Sequence, residues 1–228
     1  MELLYFVLLG MVQGLTEFLP VSSSGHLVFL DKIFNVETGN FLFVSILLHI
    51  ATLISVIILY YKQIWQLIKN PFSKKTLLIV VATIPTVIIV LLFKGFFENA
   101  FGGEYLPICF MITAIVLMLS YFKTKSNNKC LYKKLNYNNA IIIGIMQGFA
   151  VLPGISRSGS TISAGVLQGV NSEDATAFSF ILSIPIILAS LVYEVYSCLG
   201  NGQQFYTGSY FNLILSFIIA LVCGIFAI

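Results

Sequence analysis

The sequence is short of charge. Asp, Glu, Lys and Arg make up 9% of its 228 residues, where a soluble domain carries about 25%. Arginine occurs once, as Arg157, and histidine twice, as His26 and His49. The four cysteines, Cys109, Cys130, Cys198 and Cys223, form no CxxC pair and have no histidine nearby. They therefore read as small hydrophobes in helices, which argues against a disulfide or zinc framework. The start, MELLYFVLLG, has no basic stretch ahead of its apolar run, so it does not read as a cleaved signal peptide. A net charge of +3, with the lysines confined to loops, gives no reason to expect nucleic acid as a partner.

Apolar residues dominate instead, at 58% of the chain with mean hydropathy +0.98. That composition predicts an all-α polytopic membrane protein, a single integral membrane domain over 1–228. Full spans are predicted at 41–61, 76–93, 105–122 and 175–196, with a last one beginning at 210 and still running at Ile228. Segments 3–19 and 27–30 are each short of the ~20 residues a crossing needs. They flank Pro20 and a Ser/Gly turn, so they read as a re-entrant broken helix. A second broken helix is predicted within 140–170, around QGFAVLPGISRSGST. The segments 31–40, 62–75, 94–104, 123–138 and 197–209 read as loops, with Trp65 as an interfacial anchor.

Lysines set the orientation. Lys62, Lys69, Lys74 and Lys75 crowd one loop, and Lys123, Lys125, Lys129, Lys133 and Lys134 another. Short Lys-rich loops face the cytoplasm, which makes the two broken helices dip in from opposite faces. The two also echo each other. Gln13-Gly14 matches Gln147-Gly148, Leu19-Pro20 matches Leu152-Pro153, and Ser22-Ser23-Ser24-Gly25 matches Ser156-Arg157-Ser158-Gly159; Thr83-Ile84-Pro85 matches Ser183-Ile184-Pro185. One pattern in two orientations predicts inverted-topology repeats, about 1–122 and 139–228. Their re-entrant hairpins would meet near the bilayer midplane and form the site.

The lone arginine points to chemistry there. A charge at membrane depth costs about 3 kcal/mol on insertion scales, so it persists when paired, solvated or functional. A kinked helix with a snorkelling arginine is the plainer alternative. Two half-helix starts, at Ser22 to His26 and Ser158 to Thr161, offer free N–H groups to an anion, and the guanidinium fork suits phosphate or carboxylate. Glu17 lies on one helix face with Gln13. Beside an anion it must act as a base, hold a metal, or pair with Arg157 in an ion pair pinning the two repeats. His26 can donate a proton, and a neighbouring Ser can be a nucleophile. Together these favour phosphoryl transfer. His49, inside a span, reads equally as a helix-contact residue or a site member.

The motifs at 13–17 (QGLTE), 20–26 (PVSSSGH) and 153–161 (PGISRSGST) resemble those of the bacterial undecaprenyl-diphosphate phosphatases, also called bacitracin-resistance proteins. The resemblance runs along the whole chain. It implies a plasma-membrane hydrolase that removes the terminal phosphate of undecaprenyl diphosphate, recycling the lipid carrier for peptidoglycan synthesis, with the site open to the outer side and a divalent cation, magnesium or calcium, required. By motif position it implies Glu17, Ser23, His26 and Arg157 as catalytic residues, with Glu17 as the candidate metal ligand. Gln13, Ser22, Ser24, Gly25, Ser156, Ser158, Gly159 and Thr161 are the implied substrate-binding set. The first motif position is Gln13 where the family also uses Glu, which disfavours two carboxylates on one metal. The family usually has further helices beyond the position of Ile228, so the chain is expected to be a piece of a longer one. A transporter or flippase of an anionic phospholipid is the competing class.

Overall fold

The computed structural model describes residues 1–36, 38–126, 133–201 and 206–228. Among these the chain forms helices and no strand: α1 (Glu2–Thr16), α2 (Ser23–Phe34), α3 (Phe41–Leu59), α4 (Tyr61–Lys69), α5 (Lys74–Leu92), α6 (Lys94–Ala100), α7 (Leu106–Ser126), α8 (Tyr137–Phe149), α9 (Arg157–Leu167), α10 (Ser172–Asn201) and α11 (Tyr210–Ala227). Five of them, α3, α5, α7, α10 and α11, are long and apolar enough to cross a membrane. The protein is an all-α, multi-pass membrane protein. Val80, Ile84, Met111 and Ile218 are among the many exposed apolar side chains that clothe its outer surface. Lys129 and Cys130 lie outside the described residues, as do parts of the loops 31–40, 123–138 and 197–209.

Most of the helices gather into two larger apolar cores, with smaller clusters beside them. Phe6, Leu9, Leu27, Val44, Leu48 and Ala220 join α1, α2, α3 and α11. Leu78, Ala82, Ile143, Ala164 and Leu182 join α5, α8, α9 and α10. Phe18, Val56 and Phe180 stitch one to the other. Each core thus combines a broken helix with a helix from the far part of the chain, α11 in the first case and α5 in the second.

Lipid offers helices no hydrophobic gain from pairing, so close backbone approach must hold them together. Gly10 and Gly14 of α1 lie against α11, where a Cβ on Gly10 would come within 2.4 Å of the Ser216 carbonyl oxygen. The same spacing recurs in α8: a Cβ on Gly144 would stand 2.0 Å from the Ala82 carbonyl oxygen of α5. Thr86 Oγ1 strengthens that seam by donating to the Gly144 carbonyl at 2.8 Å.

All five predicted loops are partly helical: α7 runs on to Ser126, α8 starts at Tyr137 and α10 reaches Asn201, and the other three differ more. The first re-entrant segment continues to Phe34 rather than stopping at Leu30, because Asp31 is satisfied sideways by the Tyr5 hydroxyl at 2.7 Å. Residues 61–69 coil into the amphipathic α4, and Lys94–Ala100 into α6, which buries Phe97 and Ala100.

Candidate active site

At Ser22 and Ser156 the two broken helices restart, each serine as N-cap of the half-helix that follows. Ser22 Oγ accepts from Gly25 N at 3.3 Å and Ser156 Oγ from Gly159 N at 3.0 Å, which satisfies one of the free N–H groups at each start. Ser22 takes a left-handed backbone (φ 65) to do so. Such strain in a non-glycine residue persists only where its surroundings hold it. Here they do: Ser22 Oγ also accepts from Gly154 N at 3.0 Å, in the opposite break. In return Ser158 Oγ donates to the main-chain carbonyls of Glu17 (3.2 Å) and Leu19 (3.4 Å). Thr113, midway along α7, donates to the Gly154 carbonyl at 2.9 Å and accepts from Ser156 N at 3.0 Å. Broken backbone inside a bilayer needs internal partners; each break finds them in the other, and the second also in α7. The approach is tight enough that a Cβ on Gly25 would stand 2.7 Å from Gly154.

Glu17, the last polar side chain before the first break, sits where the two meet. Its Oε1 receives the Arg157 guanidinium in an ion pair, and the carboxylate is only 5% exposed. Its Oε2 accepts from the Ser23 hydroxyl at 2.5 Å and from Gln13 Nε2 at 3.0 Å. Gln13 Nε2 also reaches Thr52 Oγ1 of α3 at 3.2 Å. The other guanidinium nitrogen of Arg157 is buried without a partner. Arg157 itself lines the cavity at a half-helix start, a place that suits an anion.

A cavity of about 310 Å³ opens from this cluster. Glu17, Ser22, Ser23, Ser24, Ser156, Arg157 and Ser158 form its polar end, so the structure brings these predicted residues together. Apolar walls follow, from Leu42 and Ile46 of α3, Val87 and Leu91 of α5, and Ile186 and Ile187 of α10. At the far end stand Lys94, Glu98, Tyr193 and Glu194. The remaining predicted residues line other surfaces. Gln13 lies behind Glu17, completely buried. Gly25 and Gly159 are where the breaks touch. Thr161 bonds back to the Arg157 carbonyl and across to Ser179 Oγ at 2.6 Å. His26 turns away from the cavity: its Nδ1 is held on the Ser22 carbonyl at 2.8 Å and its ring packs edge-on against Phe110.

The cavity's histidine is His49. Its Nε2 lies 3.4 Å from Glu17 Oε2, while Nδ1 is held on the Ser45 carbonyl at 2.8 Å. A signal for it exists in the sequence: Ser45, His49 and Thr52 are spaced i, i+4, i+7, one polar stripe on an otherwise apolar helix.

The family model described as bacitracin resistance protein BacA matches residues 6–228. This chain belongs to that family. It is similar to the curated undecaprenyl-diphosphatase of Carboxydothermus hydrogenoformans, 44% identical over 223 residues, 97% of this chain and 84% of the relative. The undecaprenyl-diphosphatase of Halothermothrix orenii is 40% identical over 231 residues, 100% of this chain and 87% of the relative. That of Alkaliphilus metalliredigens is 40% identical over 240 residues, with 97% and 86% covered.

In this BacA-family chain the donor set of Glu17 also bears on a metal. Among the described residues no three His, Cys, Asp or Glu side chains gather closely enough to hold an ion. Glu17 is the single carboxylate at the polar end of the cavity, and both its oxygens already take hydrogen bonds or an ion pair. A cation held by the protein alone would have to displace Arg157 or Ser23. The residues do not fit a resident ion.

Proposed function

We propose that this cavity hydrolyses undecaprenyl diphosphate to undecaprenyl phosphate and inorganic phosphate. The observation that carries the reading is the hydrogen bond from the Ser23 hydroxyl to Glu17 Oε2 at 2.5 Å, with Arg157 on the same carboxylate and lining the same cavity. A nucleophile touching its base, with the base oriented by a third group, is the constellation that activates a weak hydroxyl. The diphosphate rests on the start of α9 and on the guanidinium of Arg157. Ser23 Oγ attacks the terminal phosphorus as Glu17 takes its proton. The phosphoanhydride bond breaks, and undecaprenyl phosphate leaves with the electron pair. Water then attacks the Ser23 phosphoester, giving up a proton, and the serine oxygen departs and is reprotonated. Net, one water is consumed and one phosphate released. His49 faces the same carboxylate and steadies its charge through these steps.

The apolar wall from Leu42 to Ile187 receives the prenyl chain. A magnesium or calcium ion would be held by the diphosphate and water rather than by the protein, and would offset the phosphate charge. The site opens to the outer side of the bacterial plasma membrane. In support, α3 and α5 both run from the lysine-rich segment at 61–75 to the cavity, so the cavity lies at their other ends. The activity recycles the lipid carrier for peptidoglycan synthesis and confers bacitracin resistance.

The test is phosphate release from undecaprenyl diphosphate by the purified protein, wild type beside Ser23→Ala. Release that Ser23→Ala abolishes, in a variant with unchanged helicity, supports the reading. Transbilayer movement of the lipid without release would replace it with transport.

A further inference from the structure

The lysine-rich end of the molecule carries a second feature. α4 buries none of its nine residues. Tyr61, Trp65 and Ile68 are 58%, 57% and 63% exposed, and with Ile64 they share one side of the helix. Lys62 and Lys69 stand on the adjoining flank, each over an aromatic ring: Lys69 Nζ lies 5.4 Å from the centre of Trp65 and Lys62 Nζ 5.8 Å from that of Tyr61. Lys74 and Lys75 follow at the start of α5. From residue 38 to residue 97 the chain has no Asp or Glu, so nothing within this stretch neutralises them.

We infer that α4 is a binding site for anionic phospholipid. Tyr61, Ile64, Trp65 and Ile68 sink among the upper acyl chains, and Lys62, Lys69, Lys74 and Lys75 hold the phosphate headgroups. The occupant follows from position and charge. α4 directly joins two membrane-crossing helices, α3 and α5, at their common end, so it lies in the plane of the bilayer boundary. At about 1.5 Å per residue it is far too short to cross. An apolar side with a lysine flank is what such a boundary retains. Each lysine near an anionic surface favours the charged lipid about fivefold, and salt screens the effect.

Trp65 is the only tryptophan in the sequence, so its fluorescence reports on α4 alone. The full chain is reconstituted in vesicles containing either brominated phosphatidylglycerol or brominated phosphatidylcholine at equal mole fraction. Trp65 is expected to be quenched best by bromines near the glycerol end of the chain. Phosphatidylglycerol should be preferred at least about fivefold. Lys62→Gln with Lys69→Gln should bring the preference toward parity, and Lys62→Arg with Lys69→Arg should retain it; unchanged helicity confirms that each pair folds. Equal quenching by the two lipids overturns the proposal. So does quenching by aqueous iodide as strong as for a free tryptophan analogue. Protection from both iodide and brominated lipid would place a second copy of the chain on α4 and also overturn it.

Discussion

His49 Nε2 faces Glu17 Oε2 across 3.4 Å, with the ring fixed from behind by the Ser45 carbonyl. Replacing His49 by Ala removes one of four groups contacting that carboxylate, while Arg157, Ser23 and Gln13 remain. The expected result is a fall in kcat of about 10–100-fold, below the roughly 10²–10⁴-fold of a group that itself transfers the proton, with little change in KM. His26→Ala, outside the cavity, should lose stability through its Ser22 contact more than turnover per folded molecule. Steady-state kinetics on fractions matched for folded protein separates the two; equal kcat losses would remove the distinction drawn between these histidines.

Glu17 and Arg157 are expected to be strongly coupled. A lone buried charge costs about 3–5 kcal/mol when its partner is removed. Arg157→Gln alone and Glu17→Gln alone should each destabilise the fold, and the double variant should be more stable than their sum predicts. All three should be inactive. Thermal unfolding in detergent gives the coupling, and additive losses would mean the pair is not closed in the membrane.

Thr113 never touches the cavity, yet both its bonds go to the second break. Thr113→Val keeps the shape and leaves a buried N–H and a buried carbonyl unpaired, at about 1–3 kcal/mol each. A clear drop in unfolding temperature is expected, while Thr113→Ser should recover much of it. An unchanged midpoint would show that water, not Thr113, satisfies those groups.

Two glycines in helices should behave in opposite ways. Gly144→Ala drives a methyl into the Ala82 carbonyl and should part α5 from α8, with severe loss of folded protein. Gly95→Ala in α6 meets nothing within 4 Å and should be neutral or stabilise by about 0.5–1 kcal/mol. Yield and melting of the two variants side by side decide it.

Metal-free protein titrated with manganese should show no tight binding until a diphosphate is added. Stoichiometric uptake without diphosphate would reveal a resident site that the saturated Glu17 donor set argues against.

Much of this was legible in the chain. Pro20, Pro153 and the Ser/Gly turns forecast both breaks, because proline and capping serines act locally. The meeting of Glu17 with Arg157 is one of three roles the sequence leaves open for that carboxylate, beside base and metal ligand. What escaped was non-local. His49 was ambiguous because nothing near it in sequence shows that the polar stripe Ser45–His49–Thr52 faces Glu17. Thr113 drew no attention, for an isolated threonine in α7 says nothing of the backbone it will serve. Asp31 reads as the start of a polar loop, yet Tyr5, 26 residues away, satisfies it.

The exchange between the breaks also has a meaning for how the protein is made. Glu17 leaves the ribosome 140 residues ahead of Arg157, and Ser22 132 ahead of the Gly154 N–H it receives. Through that interval the nascent first half holds an acid without its cation and a contorted serine without its brace. No early portion of the polypeptide can mature alone. Closure of the site thus waits at least until Arg157 has been made, and the core around α1 waits longer still, for α11 at the far end of the chain.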